Sequence, residues 1–108
     1  MAETTLASGT FIELENRYGA HNYHPLDVVC TKGEGVWLTD VDGKKYMDFL
    51  AAYSAVNQGH NHPRIAEAMI RQIRQLALTS RAFRNDQFPP LLEKLCRLTG
   101  FDKALLMN

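Results

Sequence analysis

No charge of either sign dominates this chain: Lys and Arg number 12, Asp and Glu 12, for a formal net charge of +0. That balance removes the electrostatic case for nucleic acid or an anionic membrane as the main partner. Long apolar runs are missing too, and none approaches the ~20 residues that a membrane span needs. The opening Met1-Ala2-Glu3-Thr4-Thr5 lacks the basic-then-apolar order of a secretory signal. With Glu3, Glu13 and Glu15 it is also too acidic for an organelle transit peptide. Cysteine is scarce. Cys30 and Cys96 form no CxxC and read as two buried thiols in a reducing compartment, the cytoplasm by default, with a disulfide as the lesser reading. No repeat, no low-complexity stretch, no GxGxxG, no Walker lysine and no GxSxG is found.

What is present is ordinary globular composition, 45% hydrophobic and 22% charged over 108 residues. That is one small domain or a piece of a larger one. Residues 1–9 read as loosely ordered, and Thr10-Phe11-Ile12-Glu13 has capping-box spacing, which predicts a short helix from about Phe11 to Arg17. From Val28 the pattern turns to strand. Val28–Thr31, Val36–Thr39 and Tyr46–Phe49 are β-rich, and Asp42-Gly43 is a hairpin signal, so a three-stranded antiparallel meander is expected over 28–49. The two-sided apolar character of Val36, Trp37 and Leu38 predicts that both faces are covered. Residues 50–62 are small, neutral and weakly patterned, as in a cleft lining or a subunit contact. Pro63 should open a helix capped by Asn61 or His62, with apolar positions at helical spacing through Ala77. A second helix is expected from Gln87 to Thr99, with Pro89 and Pro90 in its first turn and Gly100 as its stop. Lys103 to Asn108 reads as a buried strand. A strand without a partner is a poor place for a domain to finish, so the chain is expected to be cut there. This divides the chain into 1–14, 15–62 and 63–108.

Two histidine pairs, His21-x-x-His24 and His60-x-His62, invite a metal site, since two such pairs could offer four nitrogens to zinc. The plainer reading is that they cap, bond loop backbone or line a pocket, and no carboxylate stands beside either pair in the sequence. Tyr18, Tyr23 and Tyr53 lie off any periodic apolar face; such hydroxyls bind a polar substrate or tie down a loop. Arg81 and Arg84 after the first long helix suit a carboxylate, a phosphate or an ion pair. From the residues alone the reading stops at an α/β segment with a pocket-forming loop.

The strings Asn16-Arg-Tyr-Gly-Ala-His-Asn-Tyr-His-Pro-Leu26 and Tyr53-Ser-Ala-Val-Asn-Gln-Gly-His60 resemble the ornithine aminotransferases. So do Asp42–Phe49, His62-Pro63 and Leu78–Phe83, and the similarity runs from about Glu15 to Asn108. These are class III pyridoxal-phosphate enzymes of fold type I. One departure is Asp27, where the family usually has proline. The resemblance implies an α/β fold, with this chain as the N-terminal segment of a fold type I transferase. It implies transfer of ornithine's δ-amino group to 2-oxoglutarate, giving glutamate semialdehyde and glutamate, with pyridoxal 5'-phosphate as electron sink. It implies that Tyr23 and Tyr53 bind the substrate's α-amino and α-carboxylate end. It further implies a homodimer, with 51–60 and 78–84 near the partner subunit. The cofactor-holding lysine, the aspartate at the pyridine nitrogen and the carboxylate-binding arginine belong to later parts of the family's sequence. None of Lys32, Lys44, Lys45, Lys94 and Lys103 matches the lysine's context, so no catalytic residue is expected in these 108 residues and the segment should be inactive alone. Two other readings stay open: a small histidine-rich metal-binding module, and a non-catalytic dimerisation partner of an aminotransferase.

Overall fold

The DG turn sets the meander. In a computed structural model that describes residues 7–107, β1 (Cys30–Glu34), β2 (Trp37–Asp40) and β3 (Lys45–Met47) form one antiparallel sheet in sequential order. Leu38 stands opposite Gly33 in β1 and Tyr46 in β3, and the register shifts between Cys30 and Lys32 in a bulge. Asp40 holds the β2–β3 turn closed. Its Oδ1 accepts the N–H groups of Asp42 (3.1 Å) and Lys44 (2.8 Å), and its Oδ2 accepts the Tyr46 hydroxyl (2.8 Å). At 5% exposure it is the buried polar residue among those described. Burial pushes the Asp40 carboxyl up, but the Tyr46, Lys44 and Asp42 donors outweigh it and hold the group below its ordinary range. The same bond to Asp40 pushes the Tyr46 hydroxyl up.

Helix α1 runs Ser8–Tyr18 rather than starting at Phe11. The expected capping box does not form, because Thr10 lies inside the helix and Ala7 precedes it without a side-chain cap. The first-turn donors are met otherwise: Ser8 N–H reaches Asp42 Oδ1 at 3.2 Å and Thr10 N–H the Ala7 carbonyl at 3.1 Å. Ser8 and Gly9 are thus helical, while residues 1–6 of the loosely ordered stretch lie outside the described residues.

Helix α2 is Pro63–Gln75 and opens at the proline as expected. The Asn61 side chain donates to the Gly33 carbonyl (2.7 Å) instead of capping the helix, and the His62 carbonyl accepts Ile65 and Ala66 N–H. Helix α3 is Phe88–Thr99, with prolines in its first turn and Gly100 closing it in a left-handed conformation. Gln87 precedes the helix without a side-chain cap, and Asn85 Oδ1, two residues further back, accepts the N–H groups of Gln87 (3.0 Å) and Phe88 (2.9 Å).

Residues 103–107 form no strand, and Leu105 and Met107 are exposed; Asn108 lies outside the described residues. An extended segment needs a neighbouring ladder to satisfy its backbone, and no described strand pairs with it. The chain divides into two compact units, Met1–Met69 and Ile70–Asn108, with the boundary inside α2. Among the described residues of either unit, no hydrophobic side chain is buried. Val36 and Trp37 are exposed, so the covering expected for the sheet faces is not supplied by the described residues.

Candidate substrate site

Between β3 and α2 the backbone does something unusual. Ala51, Ala52, Tyr53 and Ser54 all have positive φ (49°, 48°, 55° and 71°), a left-handed turn built without glycine. Each such L-residue costs roughly 1–2 kcal/mol, so single residues are the rule and four in succession must be held by their surroundings. The Tyr53 N–H reaches the Leu50 carbonyl (3.0 Å) and the Val56 N–H that of Ala51 (3.1 Å). Asp48 anchors the entry: its Oδ1 accepts Leu50 N–H and Ala51 N–H, both at 2.9 Å. Its Oδ2 takes His60 Nε2 at 2.7 Å. The Ala51 N–H and then the His60 ring hold the Asp48 carboxyl below its ordinary range.

The exit is as tightly fixed. His60 and Gly35 exchange two backbone hydrogen bonds, of 2.7 and 3.0 Å, in an isolated antiparallel bridge. The imidazole lies against Gly33, where a Cβ would stand 2.9 Å from His60 Cβ and Cγ. Gly59, at φ +89°, suits a residue without a side chain, because a Cβ would crowd Gly35 backbone atoms at 3.1 Å.

Tyr53 rides on this turn 80% exposed. Tyr23, 73% exposed, lines a pocket of about 510 Å³ with the loop that follows α1; Tyr53 is not among that pocket's lining residues. His21 and His24 line the same pocket, and His21 Nε2 donates to the Asn16 carbonyl. Among the described residues no three His, Cys, Asp or Glu side chains gather as a metal would need, and the two histidine pairs are not brought together into one such group. Against expectation His60 does have a carboxylate beside it, Asp48, which lies twelve positions upstream and became a neighbour only through the fold. His62 Nδ1 is buried without a hydrogen-bond partner. Arg81 stacks over the Phe88 ring at 4.7 Å and lines a pocket of about 330 Å³ with Arg84. Cys30 is exposed and Cys96 half-buried rather than buried, and both are free thiols. No described helix is long and apolar enough to cross a membrane.

The residues present do not fit pyridoxal phosphate by themselves. A lysine that condenses with an aldehyde must be desolvated or otherwise driven to its neutral form. Lys32, Lys44, Lys45, Lys94 and Lys103 are all exposed, and Lys32 is paired with Glu34 at 3.4 Å.

Comparison with known proteins agrees with the motifs. The family model for aminotransferase class-III matches residues 18–108. An ornithine aminotransferase from Geobacillus sp. (strain WCH70) is 56% identical over 108 residues, covering 100% of this chain and 26% of that protein. The mitochondrial ornithine aminotransferase of Drosophila melanogaster is 58% identical over 110 residues, covering 98% of this chain and 26% of its own length. Among solved structures, the acetylornithine aminotransferase from Elizabethkingia anophelis superposes with a TM-score of 0.91 at 60% identity, over 96% of this chain and 27% of that one. The chain thus spans about a quarter of the length of the relatives it matches. The α/β arrangement expected of an N-terminal segment of a fold type I transferase is the one found. With its family match running from Tyr18 onward through sheet, left-handed turn and both later helices, the chain belongs to the class III aminotransferases.

Proposed function

We propose that the whole protein carrying this chain transfers the δ-amino group of ornithine to 2-oxoglutarate, giving glutamate semialdehyde and glutamate. The observation that carries this reading is the 56% identity with the Geobacillus ornithine aminotransferase across 100% of this chain. Pyridoxal 5'-phosphate is the cofactor proposed for the whole protein, held by residues outside this segment, since the lysines present are solvated. The segment alone is inactive in this reading. Tyr23 and Tyr53 are its substrate-binding residues. Their exposed hydroxyls, one on the loop after α1 and one on the left-handed turn, are free to meet the α-amino and α-carboxylate end of the donor. Gripping that end leaves the δ-amine as the reacting nitrogen. A homodimer is the proposed assembly. The cytoplasm is the proposed compartment on the strength of two free thiols, although the Drosophila relative is a mitochondrial protein.

A second donor, N-acetylornithine, is favoured by one observation, the 60% identity with the Elizabethkingia acetylornithine aminotransferase. The two donors differ at the α-nitrogen, charged in one and a neutral amide in the other. The deciding experiment measures kcat/KM for both in the whole protein, together with Tyr23→Phe and Tyr53→Phe. Ornithine is expected to be preferred, and each substitution to lower its kcat/KM by about tenfold, as loss of a hydrogen bond to a charged group does. Preference for the acetylated donor would replace ornithine in this reading. Unchanged kinetics in both variants would remove the two tyrosines from the site.

A further inference from the structure

Tyr53 is exposed within this segment, so what these residues contribute to its aim is its backbone rather than packing around the ring. That backbone is the left-handed turn, whose two ends meet at a single carboxylate. Asp48 Oδ1 holds the entry through Leu50 and Ala51 N–H, and Oδ2 holds the exit through His60 Nε2. Asp48 and His60 are themselves fixed to the strand region. The Asp48 N–H donates to the Val36 carbonyl at 2.8 Å, and His60 is bridged twice to Gly35 and pressed on Gly33. The pair is well shielded, with side chains 11% and 20% exposed, whereas the turn it closes is open to solvent. Strain of this kind persists only where the surroundings over-determine it.

We propose that Asp48 and His60 are positioning residues for Tyr53: together they staple the two ends of the left-handed turn to the sheet and so fix where the tyrosine hydroxyl meets the substrate. This rests on the reading of Tyr53 as a substrate-binding residue. Neither side chain touches the donor in this scheme, and each acts through the turn. Asp48 supplies both acceptor oxygens and His60 supplies one donor. The ring needs no protonation beyond its Nε2 hydrogen, which a neutral imidazole already carries in one tautomer.

The test uses the full-length enzyme and two amines, ornithine and 1,4-diaminobutane, which keeps both amines but lacks the carboxylate; in this scheme that carboxylate is the group at the donor's α end that Tyr53 meets. Asp48→Ala is expected to raise KM for ornithine and to lower the ornithine-to-diaminobutane ratio of kcat/KM by about tenfold or more, as a small misplacement does. Diaminobutane turnover should stay close to that of the parent. Asp48→Asn keeps one oxygen for the two N–H donors and should recover part of the ratio. Combined with Tyr53→Phe, Asp48→Ala should lower the ratio no further than Tyr53→Phe alone, because both remove the same contact. Equal losses on both amines would overturn the proposal and leave the pair a purely structural role. A ratio moved by Tyr53→Phe but not by Asp48→Ala would overturn it while sparing the tyrosine assignment. A ratio moved by neither would remove both. Should Asp48→Ala not fold, Asp48→Asn and His60→Phe carry the same comparison.

Discussion

Gly59 bears more on the proposed site than its lack of a side chain suggests. It stands at φ +89°, and a Cβ there would meet three backbone atoms of Gly35 at 3.1–3.2 Å, none of which can swing aside. Gly59→Ala should therefore open the bridge between His60 and Gly35, at a local cost of about 1–3 kcal/mol. Hydrogen exchange in the full-length protein would read this as faster exchange of the His60 and Gly35 amides by about tenfold or more, with the α3 amides unaffected. Unchanged protection of those two amides would mean the bridge is not what holds the exit of the turn. None of this was legible in the residues. Ala51-Ala52-Tyr53-Ser54 contains no glycine, so nothing local signals four positive φ angles. Asp48 and His60 are twelve positions apart and meet only because the chain returns to β1. Tyr23 and Tyr53 stood out for a different reason, since they sit in loops that no apolar period explains.

Elements were more legible than sites. The DG turn and the 3.6-residue period depend on neighbours in sequence, and they located the meander, α2 and α3 to within a residue or two. The start of α1 and the fate of 103–107 did not follow, because each is decided by distant chain: Asp42 meets the first, and no described strand pairs with the second. Asp40 gives the β2–β3 hairpin a pH dependence whose sign is fixed. Its folded carboxyl titrates below the ordinary 3.8, so its contribution is present above that value and is lost as pH falls through the lowered one. Tyr46 titrates above 10.0 when folded, so its contribution holds below 10.0 and is lost as pH rises through the raised value. The Lys44 and Asp42 amides of the full-length protein should lose protection as pH falls below 3.8, once corrected for intrinsic exchange. Asp40→Asn should abolish that acid-side dependence, and an unchanged profile would locate the titrating group elsewhere. Helix α3 offers a simpler check, because Asn85 meets the N–H of its first residue, Phe88, and that of Gln87 just before it. Asn85→Ala should cost about 1 kcal/mol, as loss of such a bond does, and should fray the Phe88–Leu91 turn in hydrogen exchange. Protection unchanged in that turn would show that the prolines alone hold the helix start.

For the molecule as a whole the decisive fact is what is not buried. Ordering a residue costs roughly 1–2 kcal/mol of backbone entropy, and removal of apolar surface from water is the main term that offsets it. Here no described hydrophobic side chain is buried in either unit. The helical stripe of Ile65, Met69, Ile70, Ile73 and Leu76 stays exposed along and just beyond α2, as do Leu91 and Leu98 on α3. The meander and the turn are hydrogen-bonded, yet a single bond contributes only about 1 kcal/mol net and cannot replace a core. The 108-residue chain prepared alone should therefore show no cooperative thermal transition and should bind a hydrophobic dye, as loosely packed chains do. The full-length protein should melt cooperatively, with the meander and α2 amides protected. A sharp, concentration-independent melt of the isolated chain would show that these faces find cover within the segment itself. A melt that sharpens as concentration rises would show that copies of the segment cover one another. The first expectation follows from the same pattern that made α2 easy to read: a stripe periodic enough to predict a helix is apolar enough to require something packed against it.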